Sequence, residues 1–296
     1  LLTIKLISYV GLAQSQQDAE KLIIQVIHDS GPVEAVKRLF RPHLDELEPE
    51  VVDAVRRLAH LEPLLPTELR FSPAVPKVPA SNNWALAGSR SATGTPIQCN
   101  DPHLEVNRLP ALWAEAVLHT PDDDRVGVTM PGVPGLVMGR TRRLSYGFTY
   151  GFMDLVDFFV EEVVGGRCRR SSGLAQLTTR TETIERRNHP TETVAIHATD
   201  IGVLETDPEA VELADGLYLA RAWAGHEGGA AASLAALREL ALASTVRDAQ
   251  EIAREVAISA NWLFADRDGA IGYQQSGRLP DRPHSGLHPV AAWDEG

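Results

Sequence analysis

The sequence has few cysteines. Cys99 and Cys168 are the only two in 296 residues. Two cysteines form at most one disulfide, and this pair lacks the spacing of a metal-binding motif. A disulfide-rich fold and a cysteine-based zinc site are therefore excluded, and we expect both thiols to be free.

Long apolar runs are also absent. No stretch approaches the roughly 20 apolar residues that a membrane-spanning helix needs. The first residues, from Leu1 to Lys5, lack the charged, apolar and small-residue regions of a signal peptide. We expect no membrane insertion, and no signal peptide within this sequence.

Basic residues are in the minority. The chain has 28 Lys and Arg against 40 Asp and Glu, which gives a net charge of −12. Such a charge disfavours binding to a nucleic-acid backbone or to an anionic membrane, so neither is expected as a partner. Hydrophobic residues make up 44% of the chain. That content is enough to bury the core of one large domain or two small ones.

The pattern of apolar residues divides the chain into three parts. Residues 1–70 read as helical: a capping box is predicted at Ser15–Asp18, Gly31 and Pro32 separate two helices, and Pro49 opens a third. Residues 71–80 are a proline-rich linker that cannot hold a helix. From residue 81 the pattern changes to short strands. Two helices follow from Ala230 to Ala257, with Ser244 as the cap between them, and then a hairpin over 261–276. The order predicts an α+β fold.

Ser81 stands at the boundary between the linker and the first strand. No Gly-x-Ser-x-Gly elbow surrounds it, and a serine hydroxyl needs an adjacent base to act as a nucleophile. Cleavage after Ala80 would supply that base as a free α-amino group, whose pKa is roughly 7.7–8.0. The small side chain of Ala80 leaves the scissile carbonyl open to the hydroxyl. Two alternatives remain: a serine hydrolase that uses His103 as its base, and a serine that only caps a turn.

Three strings in this region together resemble the penicillin acylase family of N-terminal-nucleophile hydrolases: Ser81–Ala85, Gly88–Arg90 and Asn100–Leu104. The resemblance implies a four-layer αββα sandwich, with two antiparallel sheets between helical layers. It also implies autoproteolysis before Ser81 and an α/β heterodimer made from one precursor. The sequence would then be an internal fragment: the helical end of the α-chain (1–70), the processing linker (71–80) and an incomplete first part of the β-chain (81–296). Such proteins are commonly exported to the periplasm or beyond.

The same resemblance implies roles for four further residues. Tyr150, in the string Tyr146–Phe152, matches a residue whose backbone N–H helps to form the oxyanion hole. Asn261 matches a residue that supplies a side-chain amide to the same hole. His103 matches a residue whose backbone and side chain contact the reacting centre, and Arg282 matches an arginine that orients the free amine and Asn261. Each residue alone is equally compatible with a turn, a strand or the surface.

Four apolar residues match positions that line the acyl group in the family: Leu104, Val137, Met138 and Phe148. A pocket without a buried charge favours a hydrophobic acyl chain or an arylacetyl group. Branches of the family that take dicarboxylic acyl groups tend to have an arginine here, and Met138 speaks against that. The alternative is that these are ordinary core residues.

A structural calcium ion is the one cofactor that the resemblance implies. Asp154, Asp157 and the carbonyl of Val156 match its ligands, and hard oxygen donors suit this cation. The alternative is that Asp154 caps a turn and Asp157 forms an ion pair. Asp266 and Asp268 fall far short of a complete calcium loop. No organic cofactor is expected.

Together these observations predict an amidohydrolase that cleaves a small-molecule N-acyl amide through an acyl-serine intermediate. The substrate would be a penicillin, an acyl-homoserine lactone or another acylated amine. The alternative is a non-catalytic homologue or fragment that keeps the fold as a binding or structural unit.

Overall fold

The computed structural model describes residues 12, 17–61, 81–103, 112–226 and 228–294. These residues form two compact units. Unit 1 contains residues 12, 81–103, 112–155, 224–226 and 228–279, and unit 2 contains residues 17–61, 156–223 and 280–294. The predicted linker, including Ala80, lies outside the described residues.

The helices and strands are named here in chain order. The helices are α1 (Asp18–His28), α2 (Val33–Leu39), α3 (Pro49–Arg56), α4 (Gly229–Leu240) and α5 (Val246–Ala253). The first strands are β1 (Ser81–Leu86), β2 (Ile97–Pro102), β3 (Ala114–His119), β4 (Asp124–Thr129), β5 (Met138–Arg140), β6 (Leu144–Tyr150), β7 (Val156–Val164) and β8 (Arg167–Arg170). The later strands are β9 (Gly173–Gln176), β10 (Thr178–Ile184), β11 (Glu192–Ala198), β12 (Val203–Glu205), β13 (Gly216–Trp223), β14 (Ala260–Asp266), β15 (Ile271–Ser276) and β16 (Val290–Ala291).

Unit 1 is built on an antiparallel sheet in which the described strands follow the order β15-β14-β6-β5-β4-β3. Alternate residues of β6 and β14 point to one face of this sheet, as the period of a strand requires. On that face Tyr146, Trp262 and Phe264 are almost fully buried in one core cluster with residues of α4 and α5. Burial of these aromatic rings fixes the helices against the sheet.

The antiparallel hairpin β1–β2 lies beside β6 and β14 in the same unit. Ser145 and Gly147 face this hairpin, because they alternate with the helix-facing residues of β6. Within unit 1 the six-strand sheet is therefore covered by helices on one face and by the β1–β2 hairpin on the other.

Unit 2 combines helices α1–α3 with a second sheet. Its described strands follow the order β10-β11-β12-β13-β7-β8-β9, and β16 pairs with β7 in parallel. Ile23 and Ile27 of α1 and Val55 of α3 are buried, and α1 packs against α3. Glu20 of α1 accepts a hydrogen bond from the Phe158 amide of β7 at 3.1 Å. This bond joins the helices to the sheet within the unit.

The elements largely follow the predicted ones, with shifts at the helix starts. Pro49 opens α3 as predicted. The Ser244 cap is wrong by one residue, because Thr245 accepts the capping bond from the Asp248 amide at 3.1 Å. Helix α1 begins at Asp18, where the N-cap position belongs to Gln17, whose side chain makes no capping bond. Ser15 lies outside the described residues.

One further expectation is met. Cys99 and Cys168 are both free, as predicted. Among the described helices, none combines the length and the apolar character that crossing a membrane requires.

Candidate active site

Ser81 is the first residue of β1 and pairs with Pro102 of β2. The first five residues of its strand alternate: Ser81, Asn83 and Ala85 are half-buried, whereas Asn82 and Trp84 are exposed. Because alternate residues share one face of a strand, Ser81 and Asn83 point to the same side of the hairpin. That side faces the six-strand sheet, since Asn83 bonds to β6.

His103 contacts Ser81 through its backbone. Its amide donates a hydrogen bond to Ser81 Oγ at 3.2 Å. The His103 ring is directed elsewhere: Nε2 lies 2.8 Å from Asp101 Oδ2 and 3.4 Å from Asn82 Nδ2. The bond from His103 is the main cause that lowers the pKa of the exposed Asp101 carboxyl. The structure thus brings the His103 backbone to the serine, whereas its ring, which was also expected at the reacting centre, is engaged by a carboxylate.

A set of polar side chains, which we call the amide network, fastens the hairpin to β6. It consists of Asn83, Gln98 and Asn100 of the hairpin with Ser145 of β6. Asn83 Nδ2 donates to the Gly147 carbonyl at 2.9 Å, and Asn100 Nδ2 donates to the Phe148 carbonyl at 3.1 Å. Gln98 bridges the two elements, donating to Asn83 Oδ1 at 2.8 Å and accepting from Ser145 Oγ at 2.9 Å.

Gly147 is the residue that permits this close approach. A Cβ atom at this position would lie 2.0 Å from Asn100 Oδ1 and 2.7 Å from Gln98 Nε2. Both distances are far below any van der Waals contact. A side chain at residue 147 would therefore require the Asn100 and Gln98 side chains, which belong to the amide network, to move.

Tyr150 and Asn261 are brought together by the pairing of β6 with β14. Tyr150 ends β6 opposite Ala260, and the next residue of β14 is Asn261. Asn261 Nδ2 donates to the Tyr150 carbonyl at 3.1 Å, and Asn261 Oδ1 accepts from the Tyr273 hydroxyl at 2.7 Å. The structure therefore places the two residues predicted for the oxyanion hole side by side, in strands that β1 contacts.

Arg282 and Asp157 form an ion pair within unit 2. Arg282 Nη1 donates to Asp157 Oδ1 at 2.7 Å, and both side chains are largely buried. An ion pair of Asp157 is the alternative to calcium binding that the sequence left open. The role of Arg282 at the Ser81 amine stays a prediction.

The residues predicted for calcium give only part of a ligand set. Val156 and Asp157 begin β7 in unit 2, and Asp154 precedes them in unit 1. Among the described residues, no group of three or more His, Cys, Asp or Glu side chains is arranged to hold a metal ion. A cation at Asp157 would also lie beside the Arg282 guanidinium, which like-charge repulsion disfavours. The calcium site stays a prediction.

Asp266, which was compared with a calcium loop, stabilises the hairpin turn between β14 and β15. Its Oδ1 accepts from the amides of Asp268 and Ala270 at 3.1 and 2.9 Å. Its Oδ2 accepts from the Val246 amide at the start of α5 at 3.0 Å. A carboxylate at this helix start is stabilised by the N-terminal dipole. Both oxygens are thus engaged by backbone donors.

The predicted acyl residues separate into two places. Val137 and Phe148 line an apolar cavity of about 30 Å³ on the helix-facing side of the sheet, together with Trp113, Tyr150, Ile258 and Trp262. Met138 instead lines a larger groove of about 520 Å³, with Asn100, Pro102 and Val128. Val137 and Met138 also belong to one buried core cluster. Leu104 lies outside the described residues.

The sequence did not reveal which side chains hold the predicted site residues in position. Asn83, Gln98 and Asn100 lie in the very strings that carry the resemblance, but a strand sequence does not show which carbonyl an amide reaches. Tyr273 belongs to a strand of alternating exposure, and only the register of β15 on β14 brings its hydroxyl to Asn261. Asp101 lies only two residues before His103, so its short spacing was the one signal in the sequence for this partner.

The model of the penicillin amidase family matches residues 2–296 of the chain. The chain belongs to the penicillin amidase family. The match covers both units, so the resemblance seen in three short strings extends along the whole sequence.

Three proteins with similar sequences are named as acylases. The chain is 32% identical over 231 residues to the acyl-homoserine lactone acylase QuiP of Pseudomonas aeruginosa, which covers 73% of this chain and 27% of that protein. It is 33% identical over 213 residues to the penicillin G acylase of Escherichia coli, covering 71% and 24%. It is 32% identical over 220 residues to the penicillin acylase 2 proenzyme of Pseudomonas sp. strain SE83, covering 72% and 27%. The chain thus spans about a quarter of the length of these relatives.

The fold is also that of a solved family member. The thermostable penicillin G acylase of Alcaligenes faecalis matches with a TM-score of 0.59 and 25% identity, over 68% of this chain and 36% of that one. The predicted fold class, an α+β N-terminal-nucleophile hydrolase fold, is confirmed by this match.

Proposed function

We propose that this chain carries the nucleophile of an amidohydrolase that cleaves N-acyl amides through an acyl-serine intermediate. Ser81 is the nucleophile, and its own α-amine, freed by autoproteolysis between Ala80 and Ser81, is the base. Family membership supports hydrolysis of an amide, and the name of one relative, a proenzyme, supports processing from a precursor. The mature protein would be an α/β heterodimer.

The contact between His103 and Ser81 is the observation that carries this proposal. The His103 backbone amide donates to Ser81 Oγ while its ring bonds to Asp101. An amide N–H can donate but cannot take up the hydroxyl proton, so this contact positions the oxygen without activating it. A base must therefore come from elsewhere, and a free amine on Ser81 itself lies within reach by covalent geometry.

The developing oxyanion requires donors, and Asn261 offers one. Its Nδ2 has two N–H groups, of which one bonds to the Tyr150 carbonyl. The second is available for the acyl oxygen in the transition state. With the backbone N–H of Tyr150 this gives the pair of donors typical of acyl transfer.

The acyl group that fits these surroundings is hydrophobic. The cavity beside Tyr150 is apolar, and the groove beside Pro102 has the size of a small-molecule site. The cavity holds about the volume of one water molecule, so an acyl chain in it requires a lining side chain such as Phe148 to rotate. Penicillin-like amides and acyl-homoserine lactones are the first substrates to test, because relatives are named for them.

Mass spectrometry of the complete purified protein under denaturing conditions tests the proposal. We expect separate α and β pieces, with N-terminal sequencing of the β piece giving Ser-Asn-Asn-Trp-Ala. Turnover of a panel of acylated amines should accompany cleavage. A protein that stays uncut and inactive would contradict the proposal and favour a non-catalytic homologue that keeps the fold for binding. Export to the periplasm, part of the same proposal, is tested by cell fractionation.

A further inference from the structure

Tyr273 lies diagonally across from the proposed oxyanion donor. In the pairing of β14 with β15, Asn261 is opposite Gln275 and Leu263 is opposite Tyr273. Diagonal neighbours on one face of an antiparallel pair lie within reach of long side chains. The Tyr273 hydroxyl accordingly donates to Asn261 Oδ1 at 2.7 Å.

The two hydrogen bonds of Asn261 allow only one orientation of its side-chain amide. The Tyr150 carbonyl can only accept, so the atom facing it at 3.1 Å must be the amide nitrogen. The amide oxygen then faces the Tyr273 hydroxyl, which donates to it. A half-turn of the amide would set its oxygen against the Tyr150 carbonyl oxygen, and the two would repel.

We infer that Tyr273 is a positioning residue of the proposed hydrolase, which holds the Asn261 amide with one N–H directed away from the Tyr150 carbonyl and toward the acyl oxygen. The inference rests on the proposed function. Donors that are already oriented cost no reorganisation when the oxyanion forms. Without the hydroxyl, the amide is held at one end only and turns more freely.

Tyr273 is suited to a test by substitution because it contributes little to the core. Its side chain is 53% exposed, and its ring is absent from the buried cluster of β14. Tyr273→Phe therefore removes one hydroxyl and leaves the strand in place. Tyr218→Phe is a control for the loss of a tyrosine hydroxyl in unit 2, where the Tyr218 hydroxyl donates to the Ala214 carbonyl at 3.0 Å; unlike Tyr273, Tyr218 is buried.

The experiment is a double-mutant cycle in the complete protein, using chromogenic anilides of phenylacetic acid and of a straight-chain fatty acid. We expect Tyr273→Phe to lower kcat about tenfold with little change in KM. A tenfold change corresponds to the net contribution of one hydrogen bond that stabilises the transition state. Asn261→Ala should lower kcat by roughly two to three orders of magnitude. In the Asn261→Ala background, Tyr273→Phe should have no further effect. Processing and melting temperature should match the wild type, and Tyr218→Phe should keep its kcat.

Different outcomes overturn different claims. A Tyr273→Phe enzyme with wild-type kcat, or one that loses activity equally with and without Asn261, rejects the positioning role while the hydrolase proposal stands. A wild-type protein that is cut at Ser81 but hydrolyses neither anilide nor any other acylated amine rejects the proposed function itself. A lowered kcat accompanied by a lower melting temperature would count against positioning, because it would show a structural role.

Discussion

The His103 backbone amide, and not its imidazole, is bonded to Ser81 Oγ. The proposed mechanism therefore does not use the ring as a base, and His103→Ala should retain the backbone contact. We expect a partial loss of kcat, with a pH profile of kcat/KM that still rises with an apparent pKa near the value of an α-amine, roughly 7.7–8.0. Steady-state kinetics between pH 6 and pH 9 measure this. Abolition of acylation would point to a serine hydrolase with a histidine base.

Asp101 should stay ionised over that whole pH range. The hydrogen bond from His103 lowers the pKa of the Asp101 carboxyl, so the folded protein binds this proton at a lower pH than the unfolded chain does. The stabilisation that the ionised Asp101 carboxylate contributes is therefore fully present above the ordinary Asp pKa of about 3.9 and is lost as the pH falls through the lowered value. Any loss of activity between pH 9 and pH 6 must come from another group.

Substitution of the proposed nucleophile separates processing from turnover. Ser81→Ala should block both, because no hydroxyl remains to attack the preceding carbonyl or the substrate. Ser81→Cys should still cut itself and yet hydrolyse amides poorly. Denaturing mass spectrometry and an amide assay follow the two steps. Turnover by an uncut Ser81→Ala protein would contradict the role of Ser81.

Gly147→Ala should displace the hairpin. The added Cβ would lie 2.0 Å from Asn100 Oδ1, so the amide network has to move. We expect a loss of about 1–3 kcal/mol of unfolding free energy, typical of overpacking, and a slower cut at Ser81. Gly216→Ala is the control, because its Cβ would meet nothing closer than 3.4 Å. Chemical denaturation and the rate of precursor cleavage measure both effects.

The same clash predicts a rescue. Asn100→Ala removes the side chain that a Cβ at residue 147 would strike, at the cost of the bond to the Phe148 carbonyl. The Asn100→Ala, Gly147→Ala double variant should therefore be more stable than the sum of the two single losses. Additive losses would show that the clash with Asn100 is not what makes Gly147→Ala destabilising.

Two substitutions distinguish the two candidate acyl sites. Phe148→Leu enlarges the apolar cavity beside Tyr150, and Met138→Ala enlarges the groove beside Pro102. We expect the variant at the true acyl site to shift the ratio of kcat/KM values toward longer acyl chains. An acyl-chain series on one amine measures this ratio. If neither variant changes it, both residues are core residues only.

The two thiols should differ in reactivity. Burial, followed by the charge of Glu161, raises the pKa of the Cys168 thiol to about 11. At pH 8 only about one Cys168 in a thousand is then a thiolate, the form that reacts. Cys99 is half-buried. Titration with a disulfide reagent should find one reactive thiol in the native protein and two after denaturation, and rapid labelling of Cys168 would contradict this.

The hairpin and the order of elements were predictable from local signals. The turn Arg267–Gly269 between two alternating runs predicted the β14–β15 hairpin, which the structure shows at 260–276. Pro49 likewise predicted the start of α3. The bounds of β13 were not predicted, although it is central in its sheet, because Gly216–Trp223 gains its stability from pairing with β7, more than 50 residues earlier. Long-range pairing of this kind leaves no local signal.

The sequence predicted which residues belong to the candidate site, but it did not predict how they contact one another. The strings around Ser81, Tyr150 and Asn261 indicated which residues to examine. They did not show that only the His103 backbone reaches the serine while its ring bonds to Asp101, since the local sequence does not fix the direction of a side chain. Nor did they show that Met138 lines a different space from Val137, because that depends on where β5 begins and how it pairs.

The hairpin that carries Ser81 is fastened to β6 through the carbonyls of Gly147 and Phe148. A carbonyl is present whatever side chain its residue bears, so these two bonds would survive replacement of Phe148 by another residue. The opposite side of the strand, where Phe148 and Tyr150 border the apolar cavity, is therefore free to diverge while the serine keeps its place. A change of the acyl-facing side chains therefore leaves both bonds of the nucleophile's hairpin intact, as long as residue 147 leaves room for Asn100 and Gln98.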